Sequence, residues 1–276
     1  KKYSNKIVFS GGCALNSSAN KILTENKNYF EDIYINYAPG DNGGAIGAAL
    51  VVATKYFNEI QNLKTPYLGS EYNDNEVKKI LESDFFKSKF SYKFYENDNE
   101  FFKSVAKLIA EGSVIGWFQG KMEFGPRALG NRSILASPNP GKIKDHINKN
   151  VKFREDFRPF APAILQEFAN EYFHINQKSE YMLIAFDVKS KMKRHISATV
   201  HVDNTCRVQT VTKNSNIKFY NLLYKMYQKT QIPVLLNTSF NIKGQPIVNS
   251  PEDAIMCFLK YKIDFLIIGD YILKKR

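Results

Sequence analysis

Lys6-Ile7-Val8-Phe9-Ser10-Gly11-Gly12-Cys13-Ala14-Leu15-Asn16 decides the fold class: a strand-like stretch passes through a double glycine into an amphipathic helix. Glycines at such a junction let backbone N–H groups approach an anion, and the helix N-terminus favours negative charge. The pattern returns at Pro39-Gly40-Asp41-Asn42-Gly43-Gly44-Ala45-Ile46-Gly47. Strand Lys6–Phe9, helix Ala14–Glu25, strand Ile33–Asn36 and helix Gly44–Glu59 therefore alternate, which predicts an α/β sheet. Each turn singly is an ordinary strand–helix junction; together the two are placed to flank one nucleotide. Asp41 stands just ahead of the second helix, as either an N-cap or a metal ligand.

Gln61–Asn75, with Pro66 and Gly69, reads as a linker to a second segment. There the periodicity predicts helices over Asn75–Leu81, Glu100–Glu111 (stopped by Gly112), Ile217–Lys229 and Pro251–Leu259. Strands are expected at Phe90–Tyr95, Val114–Phe118, near Tyr181–Val188, at Pro233–Leu236 and at Asp264–Ile268. His201–Val211 reads as a hairpin turning at Asp203-Asn204, and the polar stretch between Phe118 and Pro162 reads as loop. The mixed order suggests an α/β or α+β sheet carrying helices.

Three stretches carry chemistry. Gly120–Ser133 (GKMEFGPRALGNRS) spends three glycines and a proline on a segment holding Lys121, Arg127 and Arg132. Cations on a constrained backbone suit phosphate, because guanidinium offers paired donors to two oxygens; ordinary surface ion pairs are the alternative. Lys152–Pro162 sets Lys152, Arg154 and Arg158 beside Phe153, Phe157 and Phe160, which either stack bases or anchor the loop in a core. Leu235-Leu236-Asn237-Thr238-Ser239-Phe240-Asn241 ends a buried strand in small polar groups, where open α/β sheets place ligands and where Asx or Ser turns also occur. No Ser-His-Asp or Cys-His arrangement argues for a covalent nucleophile.

Composition bounds the rest. The 276 residues, 43% hydrophobic, suffice for one large core or two modest ones, and no apolar run is long enough to span a bilayer. No signal peptide or initiating Met is visible, so a chain cut from a longer one is expected. Cys13, Cys206 and Cys257 read as reduced intracellular thiols, implying a cytoplasmic location. His146, His174, His195 and His201 form no metal-ligand spacing. The net charge of +12 fits phosphorylated small molecules, nucleic acid or a Lys-rich proteome. No RNP, KH or helix-turn-helix pattern is present, so nucleic acid is not the expected partner.

In chain order the motifs SGGCALN, PGDNGGAIGAA, GKMEFGPRALGNRSI, FRPFAPAIL, HVDNTCRVQTV, LNTSFNIKGQPIV and SPEDAI resemble the nodulation-protein and antibiotic-tailoring O-carbamoyltransferases. The resemblance implies residues 1–65 as the C-terminal part of an actin-like carbamoyl-transfer domain and residues 72–276 as a YrdC-like domain. The second would make carbamoyl-AMP from carbamoyl phosphate and ATP with Mg²⁺, for transfer to a hydroxyl-bearing acceptor. Matched motif to motif, Arg127, Lys152, Arg158, Arg207, Ser239 and Asn241 look like the carbamoyl-phosphate and nucleotide-phosphate pocket. Lys152, Arg158 and Ser239 would be its catalytic members. Gly12, Asn16 and Gly43 look like nucleotide contacts of the transfer site, and Asp41 like its ligand for Fe²⁺ or another divalent metal. The family's histidine ligands and acceptor pocket have no counterpart here, and Asn204-Thr205-Cys206 replaces a common Gly-Thr-Ala turn. A tRNA-associated modification protein and a non-catalytic nucleotide-binding module of the same fold stand as the alternatives.

Overall fold

A computed structural model of the chain describes residues 4–26, 30–58, 65–139 and 142–276. In the first segment, strand β1 (Lys6–Val8) pairs in parallel with β2 (Asp32–Tyr34), placing Ile7 opposite Ile33. Helix α1 (Ser17–Glu25) follows a 3₁₀ turn over Gly12–Leu15, and Asn16 caps it by accepting from the Ala19 N–H at 3.1 Å. Helix α2 (Asp41–Phe57) starts three residues earlier than the sequence suggests. Asp41 thus lies inside its first turn, Gly40 is the N-cap, and no side chain closes that cap. The early start is steric: a Cβ on Gly43 would stand 2.0 Å from the Ala38 carbonyl oxygen, so glycine lets the turn wind tightly. Glu59 and most of the predicted linker's first half lie outside the described residues.

The second segment contains α3 (Asp74–Leu81), β3 (Phe90–Phe94), α4 (Asp98–Ala110), β4 (Ile115–Phe118), β5 (Arg132–Ala136), α5 (Lys142–Ile147) and β6 (Ala161–Leu165). It continues with α6 (Ala169–Tyr172), β7 (Ala185–Asp187), β8 (Thr205–Arg207), β9 (Gln209–Val211), α7 (Ile217–Thr230), β10 (Val234–Ser239), α8 (Pro251–Lys260), β11 (Phe265–Ile268) and β12 (Tyr271–Lys275). Eight of these strands form one mixed sheet in the order β3-β12-β11-β4-β5-β10-β6-β9. This agrees with the expected mixed α/β class.

The central strands are apolar on both faces because both are covered. On one face Leu135, Trp117, Leu235 and Ile267 meet Phe101, Val105 and Ile109 of α4 and Leu222, Leu223 and Met226 of α7. On the other, Ile134, Phe118, Leu236 and Leu266 meet Val77 and Leu81 of α3 and Ala254 and Phe258 of α8. Successive strand residues alternate between these cores, as a period of two requires. Helix starts follow local chemistry: Asn73 with Glu76 and Ser250 with Asp253 form capping boxes, and Pro251 opens α8 where its missing N–H costs nothing. Gly112, at φ 96°, ends α4 as expected.

A third apolar cluster joins the segments: Ala14, Ile33 and Ile35 pack with Phe173, Leu183, Ile184, Phe186 and Cys206. Asn20, wholly buried, donates to Ala14 O at 2.8 Å and Leu183 O at 2.7 Å, while Lys21 pairs with Asp187 at 2.7 Å.

Three expectations need correction. The supposed loop before Pro162 holds β5 at the sheet's centre, because Arg132 is absorbed by local carbonyls and the remainder, SILA, is apolar enough to bury. His201–Val211 is not a hairpin: β8 pairs with β7 and β9 with β6. Asp203 instead shapes a tight turn by accepting from the Thr205 N–H and hydroxyl at 3.0 and 2.7 Å. Strand β12, antiparallel to both β11 and β3, was not foreseen.

Candidate active site

β10 carries Asn237, Thr238 and Ser239 to the end of the sheet, where a wide π-turn over Asn148–Lys152 brings Lys152 against it. Lys152 is 3% exposed, and its Nζ donates to Ser239 O, to Ser239 Oγ at 3.2 Å, to Asn241 O at 2.8 Å and to Asn241 Oδ1 at 2.9 Å. The Ser239 hydroxyl donates to Asn241 Oδ1 at 2.6 Å. Three nominated residues from two distant motifs thus form one hydrogen-bonded unit. Burial, helped by Arg154 and opposed by Cys257, pushes the Lys152 ammonium down to about 7. Phe153 follows at φ 49°, turning the chain back so that Arg154 and Arg158 come round to the same end.

Arg154 missed nomination although it lies between two nominated cations. Its Nε donates to Asn148 Oδ1 at 2.7 Å and its guanidinium carbon stands 4.6 Å from the Phe160 ring centroid. Burial, then Arg158, pushes it down to about 10. Arg207 ends β8, and burial, then Arg127 and Arg154, pushes it to about 9. Arg127 is lowered by burial. The Nε atoms of Arg127 and Arg207 are out of water and have no hydrogen-bond partner, and among the described residues neither these two nor Arg154 and Lys152 form an ion pair. Arg158 is half-exposed, with Glu155 at 3.8 Å. A group of mutually repelling cations with a single exposed carboxylate, Glu155, at its edge is costly on its own and becomes favourable when an anion supplies the missing acceptors.

The loop carrying Arg127 is held independently of that cluster. Glu123 Oε1 accepts from the backbone N–H groups of Leu129 at 2.6 Å, Asn131 at 2.8 Å and Arg132 at 3.3 Å. Leu129 O accepts from Tyr67 and Gln209, and Trp117 Nε1 donates to Gly130 O at 2.8 Å. Arg132, in contrast to Arg127, is spent on structure. It is wholly buried, lies 3.6 Å from the Phe118 centroid, and donates to the carbonyls of Gln119, Gly120, Asn131 and Ser70. Gly125, at φ 134°, rests on the first segment: a Cβ there would stand 2.7 Å from Tyr37 O.

The residues nominated for a transfer site gather on the first segment. The Gly11 N–H donates to Pro39 O at 2.6 Å, which brings the turn containing Gly12 against the one containing Asp41 and Gly43. Asn16 is occupied as the cap of α1, and Asp41 is exposed. Among the described residues no three His, Cys, Asp or Glu side chains converge. The residues in hand do not make up a metal site, and no chemistry is routed through one.

The family pattern described as the carbamoyltransferase C-terminus matches residues 106–275, and that of the carbamoyltransferase N-terminus matches residues 1–50. The chain is 39% identical over 296 residues to the uncharacterized protein sll1178 of Synechocystis, covering 98% of this chain and 47% of that protein. It is 39% identical to the nodulation protein NolNO of Sinorhizobium fredii, covering 98% of this chain and 40% of that one. It is 30% identical to the 3'-hydroxymethylcephem-O-carbamoyltransferase of Amycolatopsis lactamdurans, covering 96% and 48%. The chain thus spans about half the length of the curated relatives it matches. With the C-terminal pattern running unbroken from α4 to β12, through every loop that feeds the cationic cluster, the chain belongs to the carbamoyltransferase family.

Proposed function

We propose that this chain forms part of an ATP-dependent O-carbamoyltransferase, and that its cationic cluster takes carbamoyl phosphate and ATP and makes carbamoyl-AMP. The observation that carries the reading is the pair of buried guanidinium Nε atoms on Arg127 and Arg207, unpartnered, with Arg207 facing Arg127 and Arg154, and Arg154 in turn facing Lys152. Two phosphate-bearing substrates meeting at one site bring several negative charges, and cations from separate loops neutralise them and hold the reacting groups in line. Water cleaves carbamoyl phosphate into inorganic phosphate and carbamate, whose oxygen attacks the α-phosphorus of ATP and expels pyrophosphate. Lys152 keeps Ser239 and Asn241 oriented at the strand end and adds its charge to the phosphates, while burial keeps water from carbamate. Mg²⁺ accompanies the ATP, held mainly by phosphate oxygens.

In this reading residues 72–276 are a YrdC-like domain and residues 1–65 the end of an actin-like domain, where Gly12, Asn16 and Gly43 face nucleotide. A hydroxyl-bearing small molecule receives the carbamoyl group, and the protein works in the cytoplasm. The test is exchange of labelled pyrophosphate into ATP by the whole protein. Exchange that requires carbamoyl phosphate, and that falls with Arg207→Ala, is expected. Exchange independent of carbamoyl phosphate, or none, refutes the adenylate.

A further inference from the structure

Glu123 is a fully buried carboxylate with an unusual division of labour. One oxygen, Oε1, gathers three backbone N–H groups from Leu129, Asn131 and Arg132. The other, Oε2, is buried without a partner. Burial pushes the carboxyl pKa above the ordinary carboxylate value, while the N–H groups of Asn131 and Leu129, and after them Arg132, whose terminal nitrogens donate to four carbonyls, favour the charged form. The segment from Phe124 to Arg132 therefore closes around a single oxygen atom. Arg127 sits midway along that closure with its guanidinium Nε unpartnered, so no bond at that atom fixes its direction. A side chain without its own anchor is aimed by its backbone, and here the backbone is set by the ring of N–H groups on Glu123.

We propose that Glu123 is the positioning residue of the cationic site: it uses the one available carboxylate on the loop's frame, fixes the backbone that aims Arg127, and leaves Arg127 free of any acidic partner. The inference rests on the anion-binding reading given above and assigns the residue on which that site's geometry depends. An acid placed against Arg127 itself would cancel the charge that phosphate needs. Placed four residues before it, Glu123 organises the loop and faces Arg132 instead. Removing the carboxylate frees three N–H groups inside the protein, and the loop must shift to find water for them.

A double-mutant cycle on the whole protein tests this, with inorganic pyrophosphate as the calorimetric probe and thermal melting alongside. Arg127→Ala is expected to weaken pyrophosphate by about tenfold or more, the range for a charge-assisted contact. Glu123→Ala is expected to weaken it by about tenfold when Arg127 is present and by less than about twofold in the Arg127→Ala background, because coupled residues are non-additive. Glu123→Gln, whose amide oxygen still accepts the three N–H groups, restores most of the affinity. Loss of overall stability alone would lower the melting point without abolishing the effect in one background only. If Glu123→Ala does not fold, Glu123→Asp, which withdraws the oxygen by one methylene, runs the same cycle. Equal factors in both backgrounds, or unchanged affinity in Glu123→Ala or Glu123→Asp, overturn the positioning role while leaving the anion site standing. Unchanged binding in Arg127→Ala overturns the anion reading and the inference with it.

Discussion

Raising the pH from 6 to 8.5 should weaken the binding of an anion of fixed charge, and sulfate is the cleanest probe because it stays divalent throughout. The titrating group is Lys152, held at about 7 by burial and by Arg154. An anion beside it binds the protonated form, so apparent dissociation constants scale as one plus ten raised to the pH minus that value. At pH 6 about nine chains in ten offer the ammonium; at pH 8.5 roughly one in thirty does, which predicts a loss near 30-fold, about 2 kcal/mol. Arg207, at about 9, adds a smaller loss at the upper end. Isothermal titration in two buffers of different ionisation enthalpy gives both affinity and protons: close to one proton should be taken up per sulfate at pH 8.5, and little at pH 6. Lys152→Met should flatten the profile. A wild-type profile flat across this range, or one that keeps its slope in Lys152→Met, would refute the reasoning that burial tunes this lysine for anions.

The same group should appear in folding. Its folded value lies below the ordinary 10.5, so between pH 7 and 10.5 the unfolded chain binds more protons and stability should rise with pH across that window. Urea midpoints of wild type minus Lys152→Met should show that slope. Arg207→Met should gain about 1–2 kcal/mol without ligand, by removing a desolvated cation facing Arg127 and Arg154, while weakening sulfate at least about tenfold. Arg132→Met should lose about 3 kcal/mol or more in chemical denaturation, since four carbonyls lose their donor inside the protein. Gly125→Ala should cost about 2–4 kcal/mol, because φ 134° suits only glycine and the added carbon meets the Tyr37 carbonyl; an unchanged melting temperature would contradict that packing.

Much of this molecule is written locally. The two glycine turns, the stop at Gly112, the caps at Asn73 and Ser250 and the periodic faces of α4, α7 and α8 depend on neighbours a few residues away. Such features follow from backbone sterics and the need to satisfy the first N–H groups of a helix, and they set the mixed α/β class. The concentration of cations in GKMEFGPRALGNRS and in Lys152–Arg158 is equally legible, since charge and glycine content require no fold. What the sequence cannot rank is which cation is structural. Arg127 and Arg132 stand five residues apart in one motif. Both leave Nε unpartnered, but the terminal nitrogens of Arg132 are closed off by carbonyls from Gln119, Gly120, Asn131 and Ser70 over the Phe118 ring, whereas among the described residues Arg127 has no such anchor.

The tertiary structure makes that division, and by the same act it turns a polar stretch into the central strand β5. It also separates β8 from β9, because each finds a longer-range partner than the turn between them suggests. Arg154 escaped selection for a related reason: its role comes from a left-handed turn at Phe153 and from Arg207, distant in sequence. The sequence by itself determined which charges and hinges are present. Only the fold decided which charges stay unpaired, because a charge's partners are whatever acceptors distant chain segments bring within about 3 Å of it.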